Sequence, residues 1–537
     1  MAVAEFDCDV VIMGGGPAGS VAASTLQKLG RTAIILEKAK FPRYHIGESL
    51  LPQQLSILSL IGVMPEIEAA NFTRKVGGVF RWGASPTPWT FDFKDDPLNP
   101  YDHSYQVVRS EFDHILLKHA AKLGADVREE AVVQDVVESD DGVVVTYTDN
   151  ADPLKPSRQV RGRFLVDASG QEGFIARKRQ SREYDKLFTN MAVWTYYNGA
   201  TRMEAPRDGS ILCAAYEWGW FWCIPLKDGT MSVGTVIDRS MVDTVKQMGI
   251  REFMAEAIRR CDLVAEMLAT AVPIAADPHM IRDYSYRNRQ AVAGRVLLAG
   301  DAAHFIDPLF SSGVHLATSS AHLAALAIDH AMTQPDQRDA VWAFYDREYG
   351  KNFESFHKFL TFMYDAHAAE SNSFFWQARK VLEGDERLSN RAWFVRLVSG
   401  GSHHLLKGAG RDMTSKVAGM LGTDGATLVS EMRGVEADSV VRLFENVTLK
   451  KDYLVRADLL GIEFDWVITH DDVGIRFPAE MVPMFDVFKS GQHSLRGLAQ
   501  NLVTVSQGPP EAMPVYLDNL MMGATQLVNL GMAEVLA

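Results

Sequence analysis

The feature of the sequence that most constrains its fold is a glycine-rich turn near the start of the chain. The β-branched run CDVVIM leads into GGGPAGS, a small-residue helical stretch follows, and a second apolar run ends at Glu37. Gly14, Gly16 and Gly19 have the G-x-G-x-x-G spacing. In dinucleotide-binding βαβ units an acidic residue follows about 20 positions later, and Glu37 fills that place. The sequence therefore predicts an α/β domain built on a parallel sheet.

Each residue of this fingerprint has a physical task. Gly14 allows the tight turn, Gly16 lets the backbone approach a pyrophosphate, and Gly19 lets the helix pack closely on the strand. The helix N-terminus then faces the phosphates, and Glu37 accepts hydrogen bonds from the adenosine ribose. A purely structural glycine turn is the alternative, but here the strand, the helix and the acid are all in register. We therefore expect a dinucleotide cofactor.

Length and charge exclude several classes of protein. A chain of 537 residues exceeds one ordinary core, so we expect two or three domains. The net charge of −14 argues against a general nucleic-acid binder and favours a soluble cytoplasmic enzyme. The four cysteines include no CxxC pair and no nearby histidine cluster, so we expect no metal site and no disulfide framework. The longest apolar stretch, from Val314, carries Ser, Thr and His side chains, which predicts a buried helix and no membrane span.

Two further strand-like runs end in an aspartate among small residues. FLVDASG contains Asp167, and RVLLAGDAAH contains Asp301. With Arg109 in YQVVRSEFD, they resemble, in chain order, the FAD-binding elements of the para-hydroxybenzoate-hydroxylase-like flavoprotein superfamily. The resemblance covers residues 5–345 and implies that these three residues contact FAD. For each aspartate taken alone, a turn-forming or helix-capping role is the alternative.

Four longer segments narrow the resemblance. FPRYHIGESLLP begins at Phe41, RKVGGVFRWG contains Lys75, WFWCIP begins at Trp220, and GDAAHFIDPLFSSGVHLA begins at Gly300. These segments resemble the flavin-dependent halogenases, and the Trp-x-Trp-x-Ile-Pro pattern of Trp220 and Trp222 is the most specific of them. The resemblance is closest to the branch that includes the chloramphenicol-pathway and chondrochloren-pathway halogenases.

This resemblance implies an FADH2-dependent halogenase of natural-product or antibiotic biosynthesis. A separate flavin reductase supplies the FADH2, and O2 with chloride or bromide yields hypohalous acid. The acid halogenates a phenolic, pyrrolic or acyl substrate, either free or tethered to a carrier protein. A single-component FAD-dependent aromatic hydroxylase of the same superfamily is the alternative. A third interpretation is a reductase of isoprenoid chains or a non-catalytic flavoprotein on the same fold.

The resemblance also assigns roles near the reacting groups. Lys75 matches the lysine that holds hypohalous acid by a hydrogen bond or as a haloamine, whereas a solvated lysine beside Arg74 is the alternative. In PLFSSGVH, Ser312 and Gly313 present consecutive backbone N–H groups at the start of a helix, which suits a halide. Phe310 stands where tryptophan halogenases have a glutamate. This departure argues against free tryptophan and favours a more electron-rich ring or an activated carbon.

The pattern WGWFW contains three tryptophans in five residues. Alternate side chains of a strand share a face, so Trp218, Trp220 and Trp222 are predicted to project to one side. Ordinary aromatic core packing is the alternative. By the resemblance, Trp220 and Trp222 lie near the flavin as a wall that keeps organic substrate away, so that halide reaches the oxidant first.

Two acidic residues complete the expected cofactor site. Glu48, in IGESLLP, is expected near the flavin ring, with a structural or flavin-contacting role. Asp283, in IRDYSYRNR, aligns with the region through which one relative anchors its FAD covalently. A covalent link through the Asp283 carboxylate and an ordinary surface acid are the two alternatives.

The pattern divides the chain into four regions. The expected FAD-binding domain is discontinuous and comprises residues 1–73, 105–185 and 283–345. The β-rich substrate domain comprises residues 74–104 and 186–282. Residues 346–424 are predicted to be helical, with one helix beginning at Phe374. Residues 425–537 are interpreted as a small winged-helix-like domain, and their lack of a basic bias argues against a role in DNA binding.

Overall fold

The structure is a computed structural model, and it describes most of the chain. The described residues are 6–82, 88–95, 99, 101–275, 277–368, 399, 435–456, 458–470, 473–477, 482, 485–491, 494–505, 513–529 and 532–536. The chain forms two compact units, Met1–Ser402 and His403–Ala537.

The first unit contains two large sheets and their covering helices. Its strands are β1 (Cys8–Met13), β2 (Ala33–Leu36), β3 (Thr73–Lys75), β4 (Gly77–Arg81), β5 (Trp89–Asp92), β6 (Ser104–Gln106), β7 (Asp126–Arg128), β8 (Ala131–Glu138), β9 (Val143–Asp149), β10 (Ser157–Asp167), β11 (Arg182–Asn198), β12 (Ile211–Tyr216), β13 (Gly219–Pro225), β14 (Met231–Asp238), β15 (Val272–Pro273), β16 (His279–Asn288), β17 (Val292–Ala293) and β18 (Val296–Leu298). Its helices are α1 (Pro17–Lys28), α2 (Gln54–Ile61), α3 (Met64–Ala69), α4 (Arg109–Lys122), α5 (Phe174–Arg179), α6 (Val242–Met248), α7 (Ile250–Arg259), α8 (Asp262–Met267), α9 (Ser312–Thr333) and α10 (Arg338–Ala368).

The first sheet has the strand order β17-β18-β10-β1-β2-β7, and β8 and β9 extend it beside β10. Strand β1 runs parallel to both β10 and β2, with Met13 opposite Asp167 on one side and Leu36 on the other. The carboxyl ends of these strands therefore meet at one edge, where α/β folds bind their ligands. Helices α1 and α9 pack against each other. The predicted α/β fold with a parallel sheet at the glycine fingerprint is confirmed.

The second sheet has the order β15-β11-β14-β13-β12-β4-β5, with β16 also paired to β11. One of its faces carries Trp220 and Trp222 into a core shared with α9 and α10, and the other face carries Phe221 and Cys223 against α7 and α8. Strand β13 is buried along its whole length. Because both faces of the sheet are covered, the sequence of β13 is apolar at consecutive positions and does not alternate with polar residues.

The predicted position of Trp218 on the face of Trp220 is wrong. Tyr216 pairs with Gly219, so Glu217 and Trp218 form the two-residue turn between β12 and β13. The alternation of faces holds only within a strand, and it does not extend into the turn. The Trp218 ring instead stacks on Phe253 with centroids 5.5 Å apart, in the core on the opposite face.

The second unit has its own small core. Its strands are β19 (Val440–Leu443), β20 (Thr448–Val455), β21 (Ile462–His470), β22 (Val473–Arg476) and β23 (Ala533–Leu536), and its helices are α11 (Phe485–Ser490), α12 (Leu495–Val505) and α13 (Met513–Asn529). β20, β21 and β22 form an antiparallel sheet, and β19 pairs with β23. The interpretation as a winged-helix-like domain stays a prediction. The helix expected from Phe374, and residues 400–424, lie outside the described residues.

Candidate active site

A cavity of about 640 Å³ lies where the carboxyl edge of the first sheet meets the inner face of the second. One end is lined by the turn between β1 and α1, including Gly14 and Gly16. The other end is lined by aromatic side chains of the second sheet, among them Trp194, Trp220 and Trp222. The cavity thus joins the predicted dinucleotide turn to the predicted tryptophan wall.

The glycine turn has the close backbone contacts that a dinucleotide cradle requires. Gly14 has φ +98°, and a Cβ atom there would lie 2.4 Å from the Ala168 carbonyl oxygen. A Cβ atom on Gly19 would lie 1.9 Å from the Gly14 carbonyl oxygen. Gly16 precedes α1 and lines the cavity, so the first N–H groups of the helix face into it. These residues fit a dinucleotide such as FAD.

Glu37 and Arg109 lie on the cavity wall with their side chains held in place. Glu37 accepts hydrogen bonds from the backbone N–H groups of Gly15 (2.6 Å) and Ala39 (2.8 Å). Each carboxylate oxygen can accept a second hydrogen bond, which leaves capacity for a ribose hydroxyl. Arg109 makes a two-pronged ion pair with Asp113 at 2.7 and 2.9 Å. Sequence reasoning missed Asp113, although its i, i+4 spacing from Arg109 on a helix is a recognisable signal.

Glu48 and Asp301 are acids on the same cavity, and burial raises the pKa of both carboxyls. The Glu48 carboxylate accepts hydrogen bonds from the hydroxyls of Tyr196 (2.6 Å) and Ser232 (3.2 Å), and burial raises its pKa to about 6. Burial raises the pKa of Asp301 to about 7, even though Arg109 and Arg182 lower it. Both therefore titrate nearer neutrality than exposed carboxyl groups do.

Asp167 is the last residue of β10 and directly precedes Ala168 and Ser169, which line the cavity. It is fully buried, and it is not among the residues that line the cavity. One oxygen accepts from the Ser169 backbone N–H (3.0 Å) and the other from the Ile175 N–H (2.8 Å). Its carboxylate therefore orders the loop that begins at Ser169, and Ser169 lines the cavity.

Trp220 and Trp222 line the cavity with ring centroids 6.2 Å apart and planes tilted by 56°. Each indole N–H has a partner: Trp220 donates to the Tyr364 hydroxyl (2.6 Å) and Trp222 to the Ser232 hydroxyl (3.3 Å). The Tyr364 hydroxyl donates in turn to Asp307 (2.9 Å). Sequence reasoning missed Tyr364 and Asp307 because this contact joins positions far apart in the chain.

Lys75 is a buried lysine at the end of β3, with 2% of its surface exposed. Its ammonium donates to the Leu50 carbonyl oxygen at 3.0 Å and lies 5.4 Å from the centre of the Phe93 ring. Burial lowers the pKa of Lys75 from 10.5 to about 7. The alternative of a solvated lysine beside the exposed Arg74 is therefore wrong.

The predicted halide turn lies at the start of α9. A single 3-10 turn, Pro308–Phe310, ends at Ser311 in the left-handed region (φ +57°), and α9 begins at Ser312. Gly313 lines the cavity, whereas the Ser312 side chain is buried and its hydroxyl has no partner within the described part of the chain. Phe310 is buried and stacks on Phe359 at 4.4 Å.

Asp283 lies on β16 opposite Asn190, and its side chain lies outside the described residues.

The sequence also predicted that the chain has no metal site and no membrane-spanning helix. In the described ranges no cluster of His, Cys, Asp or Glu could hold a metal ion. None of the described helices has the length and apolar character needed to span a membrane.

Comparison with known families gives one match that covers most of the chain. The tryptophan halogenase family profile matches residues 9–97 and 94–407. The chain is 35% identical over 399 residues to a tryptophan 2-halogenase of Chondromyces crocatus, covering 73% of this chain and 75% of that protein. It is 31% identical to a 1H-pyrrole-2-carbonyl-(peptidyl-carrier protein) chlorinase of Pseudomonas fluorescens, covering 67% and 84% of the two chains.

Solved structures give the same result. CmlS, a flavin-dependent halogenase, superposes with a TM-score of 0.77 at 32% identity, over 98% of this chain and 96% of CmlS. The myxobacterial chondrochloren halogenase CndH has a TM-score of 0.67 at 39% identity, over 73% of this chain and 90% of CndH. Both belong to the branch that the sequence motifs resemble.

Proposed function

Because the chain belongs to the tryptophan halogenase family of flavin-dependent enzymes, we propose that it halogenates an electron-rich ring next to Lys75. It is a flavin-dependent halogenase that uses FAD, O2 and halide. The observation that carries the proposed position of halogen transfer is the burial of Lys75. Its ammonium contacts the Leu50 carbonyl oxygen, and Leu50 follows Ser49, which lines the cavity that fits FAD. Burying a cation costs free energy of folding, and buried lysines with a lowered pKa are typical of functional sites.

FAD, once reduced, supplies with O2 the oxidising equivalents that turn chloride or bromide into hypohalous acid. The chain's own residues have three proposed tasks. The N–H groups of Ser312 and Gly313 hold the halide at the start of α9. Trp220 and Trp222 fill the space through which an organic ring would otherwise approach the flavin. Lys75 receives the hypohalous acid on the far side of that wall.

The pKa of Lys75 bears on how it acts. Burial brings the pKa to about 7, so the ammonium and the amine are both populated at neutral pH. The ammonium donates a hydrogen bond to the oxygen of hypohalous acid and makes the halogen more electrophilic. The amine attacks the halogen and forms a haloamine, releasing water. Both routes stay open, and both need Lys75.

For the substrate we propose a phenolic or pyrrolic ring tethered to a carrier protein. The similarity to a chlorinase of a carrier-bound pyrrole supports the tether. Phe310, buried against Phe359, leaves an apolar ring where tryptophan halogenases have a glutamate. A ring activated by its own hydroxyl or nitrogen does not need that acid.

The source of FADH2 is proposed to be a separate flavin reductase. The sequence has a single glycine fingerprint, which supports one dinucleotide site, for FAD, and no second site for NAD(P)H.

A substrate panel tests this assignment. The protein, a flavin reductase, NADH, FAD and bromide or chloride would be incubated with a carrier-bound pyrrole-2-carbonyl group, a carrier-bound phenolic acyl group, the corresponding free acids and free tryptophan. We expect halogen to be added to a carrier-bound ring, detected by mass spectrometry of the intact carrier. Faster halogenation of free tryptophan would contradict the substrate proposal, and added oxygen without halogen would favour the hydroxylase alternative.

Gly313→Ala tests the proposed halide site at the start of α9. A Cβ atom on Gly313 meets no atom within 4 Å, so the fold tolerates it, but it enters the cavity in front of the helix N-terminus. We expect the KM for halide to rise about tenfold, the cost of one weakened charge-assisted hydrogen bond. FAD content should stay unchanged, and the KM for bromide should rise more than that for chloride because bromide is larger. An unchanged KM for both halides would remove Gly313 from the halide site.

A further inference from the structure

A chain of hydrogen bonds leads from the rim of the cavity that fits FAD (the flavin cavity) to a buried carboxylate. At the outer end is Tyr44, which is 51% exposed, and its hydroxyl lies 2.9 Å from that of the half-buried Tyr196. The Tyr196 hydroxyl in turn lies 2.6 Å from the carboxylate of Glu48, which is 2% exposed. Tyr44 and Glu48 both line the cavity. Each link is short enough for a proton to pass from one oxygen to the next.

The protons of this chain are directed inward. The Trp194 indole, which can only donate, gives its N–H to the Tyr44 oxygen at 2.7 Å. An ionised carboxylate can only accept, so the single hydroxyl proton of Tyr196 points to Glu48. The Tyr44 hydroxyl must then donate to the Tyr196 oxygen. The second lone pair of the Tyr44 oxygen can accept a proton from water at the rim.

Both ends of the chain are held by their neighbours. The Tyr44 ring stacks on the exposed His279 ring, with centroids 5.1 Å apart and 20° between the planes. This contact places Tyr44 at the outer surface of the cavity. At the inner end the Ser232 hydroxyl donates to the second carboxylate oxygen of Glu48 at 3.2 Å and accepts from the Trp222 indole at 3.3 Å. The carboxylate is therefore fixed toward Tyr196.

The surroundings of Glu48 suit a group that takes up and releases a proton near neutral pH. Burial raises its pKa, whereas the hydroxyls of Tyr196 and Ser232 and the positive charge of Arg109 lower it, and the result is about 6. Burial also raises the pKa of Tyr44, so this phenol keeps its proton at neutral pH. Proton transfer is most efficient through a group whose pKa lies near the working pH.

The formation of hypohalous acid in the flavin cavity consumes a proton. FADH2, O2, one halide ion and one proton give FAD, hypohalous acid and water, with FADH2 and the halide each giving two electrons to O2. On the side of the second sheet, the cavity is lined by the buried indoles of Trp194, Trp220 and Trp222. Protons travel along hydrogen-bonded oxygen and nitrogen atoms and not across ring carbons. The reaction therefore needs a polar route from the solvent into this cavity.

We propose that Tyr44 and Tyr196 carry this proton from the solvent to Glu48, and that Glu48 delivers it to the oxygen atom that leaves as water. This inference rests on the halogenase activity and not on the proposed role of Lys75. A proton from the solvent binds the Tyr44 oxygen, the Tyr44 proton moves to Tyr196, and the Tyr196 proton moves to Glu48. One O–H bond forms for each that breaks, so the solvent loses one proton and Glu48 gains one.

The release into the cavity uses the mobility of the carboxyl group. The terminal torsion of a glutamate side chain is soft, and a half-turn about it exchanges the two oxygens of Glu48. This motion turns the new O–H from Tyr196 toward the cavity. Loss of the proton there restores the carboxylate, and rotation of the two phenol hydroxyls restores the inward direction of the chain.

Tyr44→Phe and Tyr196→Phe test the proposal, because each removes one hydroxyl of the chain and keeps the ring. Tyr197→Phe is the matched control, since Tyr197 is the next residue of β11 and its side chain lies in the core on the opposite face of the sheet. Enzyme loaded with reduced FAD would be mixed with O2, bromide and a 1,3-dione that captures the oxidant, without an organic substrate. The rate of halogen capture at pH 8 and the FAD content would be measured.

We expect Tyr44→Phe and Tyr196→Phe to capture halogen about 10²-fold more slowly than the wild type, the lower end of the range for removing a positioned proton-transfer group. Tyr197→Phe should match the wild type, and all three proteins should keep their FAD. A rising concentration of imidazole buffer should restore the rate of the two slow variants, because a small acid replaces the missing chain. A merely structural role of the hydroxyls would not respond to the buffer.

The carboxyl of Glu48 can also be followed in the protein without FAD. The infrared band of its protonated form, identified by its absence in Glu48→Gln, is titrated with pH. We expect a midpoint near pH 6 in the wild type. It should rise in Tyr196→Phe, because the hydrogen bond that stabilises the ionised form is lost. Tyr44→Phe keeps that hydrogen bond, so it should keep the midpoint while it loses the rate.

Two results of the capture experiment would overturn the proposal. One is a Tyr44→Phe protein that captures halogen as fast as Tyr197→Phe at pH 8. The other is a lowered rate that imidazole buffer does not restore. An infrared midpoint in Tyr196→Phe equal to that in Tyr197→Phe would remove the link between Tyr196 and Glu48. Capture by the dione needs no transfer of halogen to an organic substrate, so these results are independent of the proposed role of Lys75.

Discussion

Lys75→Met is expected to lower halogenated product formation by roughly 10²–10⁴-fold, the range for removing a positioned group that acts on the reacting atoms. FAD binding and FADH2 oxidation should continue, because Lys75 is not among the residues that line the flavin cavity. The oxidant formed from O2 as FADH2 is consumed should then appear as halogen captured by an added 1,3-dione or as hydrogen peroxide. Product formation by mass spectrometry, set against FADH2 oxidation by absorbance, measures this separation.

The same substitution has a pH-dependent effect on stability. The pKa of Lys75 is about 7 in the folded protein and about 10.5 in the unfolded chain, so between these values the unfolded chain binds more protons. The free energy of unfolding of the wild type therefore falls as the pH drops through this window. Each unit of pKa difference corresponds to about 1.4 kcal/mol. Methionine carries no proton, so Lys75→Met should be the more stable protein at pH 7, with the gap closing toward pH 10.

Arg74→Met is the matched control for both measurements. Arg74 precedes Lys75 in β3, is exposed and pairs with Asp102 at 2.9 Å. Its replacement removes a cation from the same strand without opening the buried site. We expect unchanged halogenation and a stability change below about 1 kcal/mol. A Lys75→Met protein that halogenates like Arg74→Met, or that is less stable than the wild type at pH 7, would contradict the interpretation of Lys75.

Gly19→Ala is expected to yield protein without bound flavin, or no folded protein. The added Cβ atom would lie 1.9 Å from the Gly14 carbonyl oxygen, which is backbone and cannot rotate away. Helix α1 must then move off β1, and the N–H groups that face the cofactor phosphates move with it. Overpacking of this kind costs about 1–3 kcal/mol or more. The ratio of flavin to protein absorbance and the unfolding midpoint measure the two effects.

Gly350→Ala provides the comparison for Gly19→Ala. Gly350 lies within α10, and a Cβ atom there meets nothing within 4 Å. Alanine in a helix interior is favoured over glycine by about 1 kcal/mol, so this protein should be slightly more stable and should keep its flavin. Flavin content in Gly19→Ala equal to that in Gly350→Ala would show that the close contact at Gly14 is not required for FAD binding.

The parts of the site that sequence predicted are those decided by local geometry. The spacing of Gly14, Gly16 and Gly19 prescribes a turn within one βαβ unit, so the fold and the cofactor end of the cavity followed from adjacent residues. Trp220 and Trp222 share a face because both lie within β13. The same prediction was wrong for Trp218, because side chains alternate between faces only within a strand and Trp218 lies in the turn. Which residues form that turn depends on how β12 pairs with β13.

Sequence by itself thus determined the fold class, the cofactor and the identity of Lys75 as the residue to test. Only the tertiary structure decided that Lys75 is buried, with its ammonium on the Leu50 carbonyl oxygen. It also showed that the Asp167 carboxylate accepts hydrogen bonds from the backbone N–H groups of Ser169 and Ile175. The physical reason is the range of the interactions. Turns and strand faces depend on neighbouring residues, whereas burial and its effect on pKa depend on strands brought together from across the chain.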